Sequence, residues 1–165
     1  AREIPFAPEL RQSCDQNTCG RFDTCWVGPP AIGPVDQLMA RVLKFPVALV
    51  VQTIGQLEDS FDYEGMMAAK DRHEHVFRTI RPQLHDHFPG QETLDLSCGC
   101  CSLCDECTWP DQPCARPDEA VSAVEAYGIN VNPMLLACGL KYNNGLSTVS
   151  YVSLFLLPDS HFVLY

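Results

Sequence analysis

Cys98-Gly99-Cys100-Cys101-Ser102-Leu103-Cys104-Asp105-Glu106-Cys107-Thr108-Trp109-Pro110-Asp111-Gln112-Pro113-Cys114-Ala115-Arg116-Pro117 is the stretch around which the rest of the chain is arranged. Six of the ten cysteines fall within it. From Cys101 through Cys104 to Cys107 the spacing is C-x2-C-x2-C, and Cys114 follows after six further residues. Thiolates at this spacing can converge on one face of a tight loop. A cubane iron–sulfur cluster needs that arrangement, because each of its four irons takes one thiolate. Zinc also takes four thiolates, but its sites usually join two C-x2–4-C hooks from separate loops. Disulfides are the third reading; the neighbours Cys100 and Cys101 do not bridge easily, and thiols this dense crowd any pairing scheme. The spacing favours a [4Fe–4S] cluster on Cys101, Cys104, Cys107 and Cys114, with Zn as the alternative.

The composition fits a single globular domain. The chain has 165 residues, 46% hydrophobic and 19% charged, enough to bury a sizeable core. With 11 basic and 21 acidic side chains the net charge is −10. That argues against nucleic acid, whose phosphates need a basic footprint, and against anionic membrane surfaces. The runs Phe45–Val51 and Val149–Leu157 are too short to span a bilayer, so no membrane insertion is expected. Ala1-Arg2-Glu3-Ile4-Pro5 lacks the apolar core of a secretory signal. Ten cysteines in that context predict a reducing, cytoplasmic location with metal-bound thiolates.

Outward from the cysteine loop, four stretches are expected within one metal-binding domain spanning 1–165. Residues 1–34 are rich in Cys, Pro and Gly. They carry Cys14, Cys19 and Cys25, a half-site that one more ligand would complete. Residues 35–97 read as helix, strand, helix. Pro34 opens a helix with Val35, Leu38, Met39, Val42 and Leu43 on one face. Pro46 to Thr53 is a nearly continuous apolar, β-branched run and reads as a buried strand. Glu64 to Phe88 reads as a long helix that Pro82 kinks or ends. Its His73, His75, His85 and His87 read as structural or surface groups. Each close pair sits about 200° apart around the helix and cannot share one ion. Residues 98–117 are the cysteine loop. In 118–165, Pro117-Asp118 starts a helix that Gly128 stops, and Asn132-Pro133 caps another that ends near Cys138. Asn143-Asn144-Gly145 then turns into a strand from Ser147 to Leu157. The expected fold class is α+β: a small mixed β-sheet with the first two helices on one face and the cysteine loop at one end.

Several of these residues together resemble a known family. Cys101-x2-Cys104-x2-Cys107-Thr-Trp-Pro-x2-Pro-Cys114-x2-Pro117 is followed by Ser122-x2-Glu125-Ala126-x-Gly128-Ile129-Asn130-Val131, then Gly139-Leu140 and Thr148-Val149-Ser150-Tyr151. The pattern is similar to that of the predicted metal-binding proteins with domain of unknown function 2284, over about residues 10 to 157. That resemblance implies metal binding and no particular reaction. The family's N-terminal hallmark places cysteines before Tyr-Gly and Cys-Pro-Pro. Here Cys14, Cys19, Phe22-Asp23 and Gly28-Pro29-Pro30 stand instead, with Cys25 three residues before Gly28. Cys98, Cys100 and Cys138 are additional to the family pattern.

The reading is an iron–sulfur protein with one [4Fe–4S] cluster on Cys101, Cys104, Cys107 and Cys114. A second would sit on Cys14, Cys19 and Cys25, with Cys98, Cys100 or Cys138 as its fourth ligand. Low-potential electron transfer follows, as a carrier to a protein redox partner or as a small subunit of a larger anaerobic redox enzyme or activation complex. The alternative is a zinc-stapled interaction subunit. No nucleophile motif and no glycine-rich phosphate loop is present to mark a stand-alone enzyme. The tail from Asp159 to Tyr165 is apolar enough to pack on a partner or on the chain's own core.

Overall fold

The computed structural model describes residues 3–164. Its spine is the strand β4, Thr148–Leu157. The strand β1, Val47–Gln56, pairs antiparallel along its whole length, from Val47 opposite Leu157 to Gln56 opposite Thr148. On the other side the strand β2, Leu94–Ser97, pairs antiparallel with Leu154 and Leu156. The two-residue strand β3, Ser122–Ala123, closes the sheet parallel to β2, giving the order β1-β4-β2-β3. The fold is α+β, with four helices and a four-stranded mixed sheet.

Because successive side chains on a strand point to opposite faces, β4 feeds two cores. Val152, Leu154 and Leu156 pack with the helix α2, Val35–Val42, and the helix α4, Val131–Ala137. Phe155 and Leu157 pack on the other face with Phe77, Leu84 and Phe88 of and beyond the helix α3, Tyr63–His87. A helix α1, Leu10–Asp15, lies in the N-terminal segment. The first two expected helices thus cover opposite faces, not one. A strand as apolar as β4 is buried on both sides only if both sides are covered.

Other boundaries differ for identifiable reasons. Pro34 is the residue before α2, in extended conformation. The apolar run expected as a buried strand is the sheet's edge and only half-buried; the buried one is β4. Pro82 neither ends α3 nor stops it short of His87. Leu84 and Phe88 beyond it are buried, each contributing about 1.5–3 kcal/mol, which offsets the roughly 3 kcal/mol cost of an internal proline. The helix expected between Pro117 and Gly128 does not form. Ser122 and Ala123 pair with β2 instead, leaving a 3-10 turn at Glu125–Tyr127. Gly128 does stop that turn. Its φ of 71° is left-handed, and a Cβ there would sit 2.9 Å from Val35 Cγ2. The helix α4 starts at Val131 after Asn130, so Pro133 lies inside its first turn. In the tail Phe162 packs edge-on to Phe88, against the chain's own core; Tyr165 lies outside the described residues.

Inside the α3 face one histidine is wholly buried. His73 Nδ1 hydrogen-bonds Thr53 Oγ1 at 2.9 Å, and Nε2 hydrogen-bonds Ser153 Oγ at 2.6 Å. The ring ties α3 to β1 and β4 at once. Burial pushes its pKa down from 6.5 to about 4. The ring stays neutral in the fold while the unfolded chain takes up the proton first. Stability from this group is complete above about pH 6.5 and is lost as pH falls toward about 4. The loss is on the order of 3 kcal/mol. Urea unfolding at pH 7 and pH 5 should show a steep difference for the wild type and a clearly shallower one for His73→Gln. Equal pH slopes in the two proteins would contradict this role.

Candidate metal centre

The cysteine loop begins where β2 ends. Ser97 is the last strand residue and Cys98 the first outside it. The loop is closed at its base by the β2–β3 pairing and by Val124 N donating to Ser97 O at 3.0 Å. It is also tied to α3 at both ends. Ser97 Oγ donates to Glu74 Oε1 at 3.0 Å, and Arg81 Nη1 donates to Asp118 O at 2.8 Å. Arg78 pairs with both Glu74 and Glu119 at 3.7 Å.

The N-terminal segment is brought to the same end by a different set of bonds. Arg11 of α1 is buried and donates to Ala126 O at 3.3 Å and Gly33 O at 3.1 Å. Ala7 N donates to Gly128 O, and Asn130 N to Pro5 O. Between Cys14 and Cys25 the chain folds back through left-handed positions at Asn17, Gly20 and Asp23. Asn and Asp tolerate that conformation better than other residues with side chains.

Two tryptophans then stitch the segments together. Trp109 Nε1 donates to Asp23 Oδ1 at 2.7 Å, and Trp26 Nε1 donates to Gln112 O at 3.0 Å. The rings meet edge to face, with centroids 4.6 Å apart. Each tryptophan reaches a polar group on the opposite segment, so neither segment can shift without breaking both bonds.

The result is two neighbouring cavities walled by thiols. The N-terminal cavity, about 280 Å3, is lined by Cys14, Cys19, Cys25, Cys100 and Cys101, with Phe22, Val27 and Pro29 as apolar lining. The loop cavity, about 130 Å3, is lined by Cys25, Cys100, Cys101, Cys104, Cys107 and Cys114. Cys25, Cys100 and Cys101 therefore stand in the wall between them. Among the described residues no three His, Cys, Asp or Glu side chains close on a single-ion site. Both cavities exceed the roughly 30 Å3 of one water molecule several-fold. A donor set of soft thiolates around such a space fits a polynuclear metal group.

The thiols also sense one another. Burial pushes the Cys100 thiol up, Cys19 and Cys25 add to it, and Arg21 and Lys70 oppose it. Burial likewise pushes Cys101 up, with Cys25, Cys107 and Cys114 adding. Cys14 is raised by burial and then by Cys19. So Cys100 responds to the N-terminal thiols Cys19 and Cys25, and Cys101 to Cys25 as well as to the loop thiols Cys107 and Cys114, while both line both cavities.

Two cysteines line neither of these cavities, although Cys98 borders a smaller one with Cys100 and Cys101. Cys98 turns to Glu74, 4.0 Å from Oε1, and its pKa is pushed up to about 12, first by burial and then by Glu74. Cys138 lines a separate groove with Ile4, Pro46, Ala48, Val50 and Met134. The histidines serve the scaffold: beyond His73, His85 Nε2 meets Asp95 Oδ2 at 2.8 Å and His87 meets the Val163 backbone.

A model of predicted metal-binding proteins, DUF2284, matches residues 1–157. The chain belongs to that family. No curated protein and no solved structure matches the chain. Where the resemblance expects the cysteine of Cys-Pro-Pro, Gly28 stands, and a Cβ there would lie 3.1 Å from Cys25 Sγ, in close contact with it. Among the described residues no helix is long and apolar enough to cross a membrane.

Sequence reasoning passed over Trp26, Arg11 and Glu74. The available signal for Trp26 was its place directly after Cys25, matched by Trp109 two residues after Cys107. Trp109→Ala removes an edge-to-face pair and a charge-assisted hydrogen bond. The expected cost is about 2 kcal/mol. Hydrogen exchange should rise at residues 17–26 and 108–113 while β4 stays protected. Uniform exchange across the chain would contradict a local clasp.

Proposed function

We propose that this chain is an iron–sulfur protein holding two [4Fe–4S] clusters and that it transfers electrons. The single observation that carries this reading is the pair of thiol-walled cavities meeting at Cys25, Cys100 and Cys101. We assign Cys101, Cys104, Cys107 and Cys114 to the loop cavity, and Cys14, Cys19, Cys25 and Cys100 to the N-terminal one. Four thiolates each is the number a cubane takes. Such a group would supply a one-electron couple at each site.

The chain's own residues supply the rest. Phe22, Val27 and Pro29 exclude water from the N-terminal cavity, and the absence of histidine from both walls favours low potential. Cys104 and Cys107 are exposed, so the loop cavity opens at the surface, where a protein redox partner can approach. The partner is either a soluble acceptor or the larger redox enzyme or activation complex of which this chain is a small subunit. The net charge of −10 suits docking on a basic surface. Because burial raises the Cys14, Cys100 and Cys101 thiols, loading must drive off their protons and should strengthen as pH rises from neutral.

Anaerobic reconstitution followed by iron and sulfide assay tests the reading. About eight irons and eight sulfides per chain are expected, from two cubanes. Cys104→Ser and Cys19→Ser should each remove about half, by the same count. Cys98→Ser and Cys138→Ser should remove none. A colourless protein that binds one or two zinc ions instead would overturn it in favour of a zinc-stapled interaction subunit.

A further inference from the structure

The wall between the two cavities contains one charged side chain. Arg21 lines both, together with Cys25, Cys100 and Cys101. The other charged residues are confined to one side: Glu125 to the N-terminal cavity, Asp105 and Arg116 to the loop cavity. Arg116 is also engaged, 3.8 Å from Glu119. Arg21 makes no side-chain hydrogen bond and no ion pair among the described residues, in a chain with 21 acidic side chains. An exposed arginine has many carboxylates to choose from in such a chain. Standing unpaired in the wall of two cavities lined by eight thiols is the arrangement expected of a charge meant for something that the thiols hold.

We propose that Arg21 is a tuning residue shared by both sites, and that its guanidinium raises the reduction potential of the two centres together. The inference rests on reading both cavities as cluster sites. Each centre takes one electron from a one-electron donor, and no bond is made or broken. The added electron increases the negative charge within the four-thiolate shell. A fixed cation in the shared wall stabilises the reduced form more than the oxidised form, and so moves each potential upward.

Lys70 provides an internal control. Its ammonium acts on Cys98 and Cys100, and its Cε lies 3.4 Å from where a Gly99 Cβ would be. It lines neither cavity, so its influence on both centres should be weaker than that of Arg21.

The experiment is an anaerobic potentiometric titration with dithionite, followed by EPR. Each centre is also observed alone in Cys104→Ser and Cys19→Ser backgrounds. Arg21→Gln should lower both potentials, by about a tenfold change in the reduced-to-oxidised ratio, which is ~59 mV for one electron. Arg21→Lys should keep both near the wild-type value. Lys70→Gln should shift both potentials less than Arg21→Gln does. Arg21→Gln removes no side-chain hydrogen bond or ion pair among the described residues, so the fold should persist. If that variant shifts neither potential, or only one, the shared role is wrong. Loss of iron from Arg21→Gln with an unchanged far-UV spectrum would also overturn it, because the residue would then serve assembly. A wild-type protein that takes up no iron would instead overturn the cluster reading, so the two failures are separable.

Discussion

Two indole hydrogen bonds hold this molecule's chemistry in one place. Trp26 and Trp109 each reach a polar group 86 residues away in sequence, and they do so in opposite directions. Neither of the segments they join has much core of its own. The N-terminal segment contributes one short helix before α2, and the cysteine loop contributes no regular element before Ser122. Segments with so little buried apolar surface cannot offset the entropy of ordering themselves. The sheet supplies the fixed base, through β2 ending at Ser97 and β3 returning beside it. The tryptophans supply the closure at the far side. The thiols converge because both constraints act together.

The electrostatics of this arrangement favour occupancy. Burial and mutual repulsion both push the thiols at Cys100 and Cys101 upward. Bringing them together as thiolates is unfavourable unless a cation lies between them. Metal binding and closure of the two segments are then the same process seen from two sides, as in other small domains where ligands meet only in the folded state. Cys98 differs in its neighbour: Glu74 beside it adds to the effect of burial on its thiol.

How much of this was legible in the sequence varies from element to element. The strand Thr148–Leu157 and the helix Tyr63–His87 were visible, because long apolar or periodic runs declare themselves. Their partners were not. Leu94–Ser97 is too short to read as a strand, and Ser122–Ala123 was hidden inside a helix-like stretch. Both form through pairing between residues far apart in sequence, which no local pattern reports. In the same way, the spacing of Cys101, Cys104 and Cys107 suggested a shared site. Nothing in it could separate Cys100 from Cys101, which are adjacent in sequence yet respond to different sets of thiols. Cys25 shows the opposite case. Its three-residue offset from Gly28 left open whether it takes over a ligand role or marks an altered site, and the backbone turn brings its sulfur to 3.1 Å from where a Cβ at position 28 would lie.

The central claim is that two thiol sets, divided between Cys100 and Cys101, each hold a cluster. Anaerobic crystals of the loaded protein, measured at the iron absorption edge, test it most directly. The account predicts two resolved groups of anomalous density. One is bounded by Cys14, Cys19, Cys25 and Cys100, and the other by Cys101, Cys104, Cys107 and Cys114. A single group, density at Cys98 or Cys138, or a signal at the zinc edge alone would contradict it.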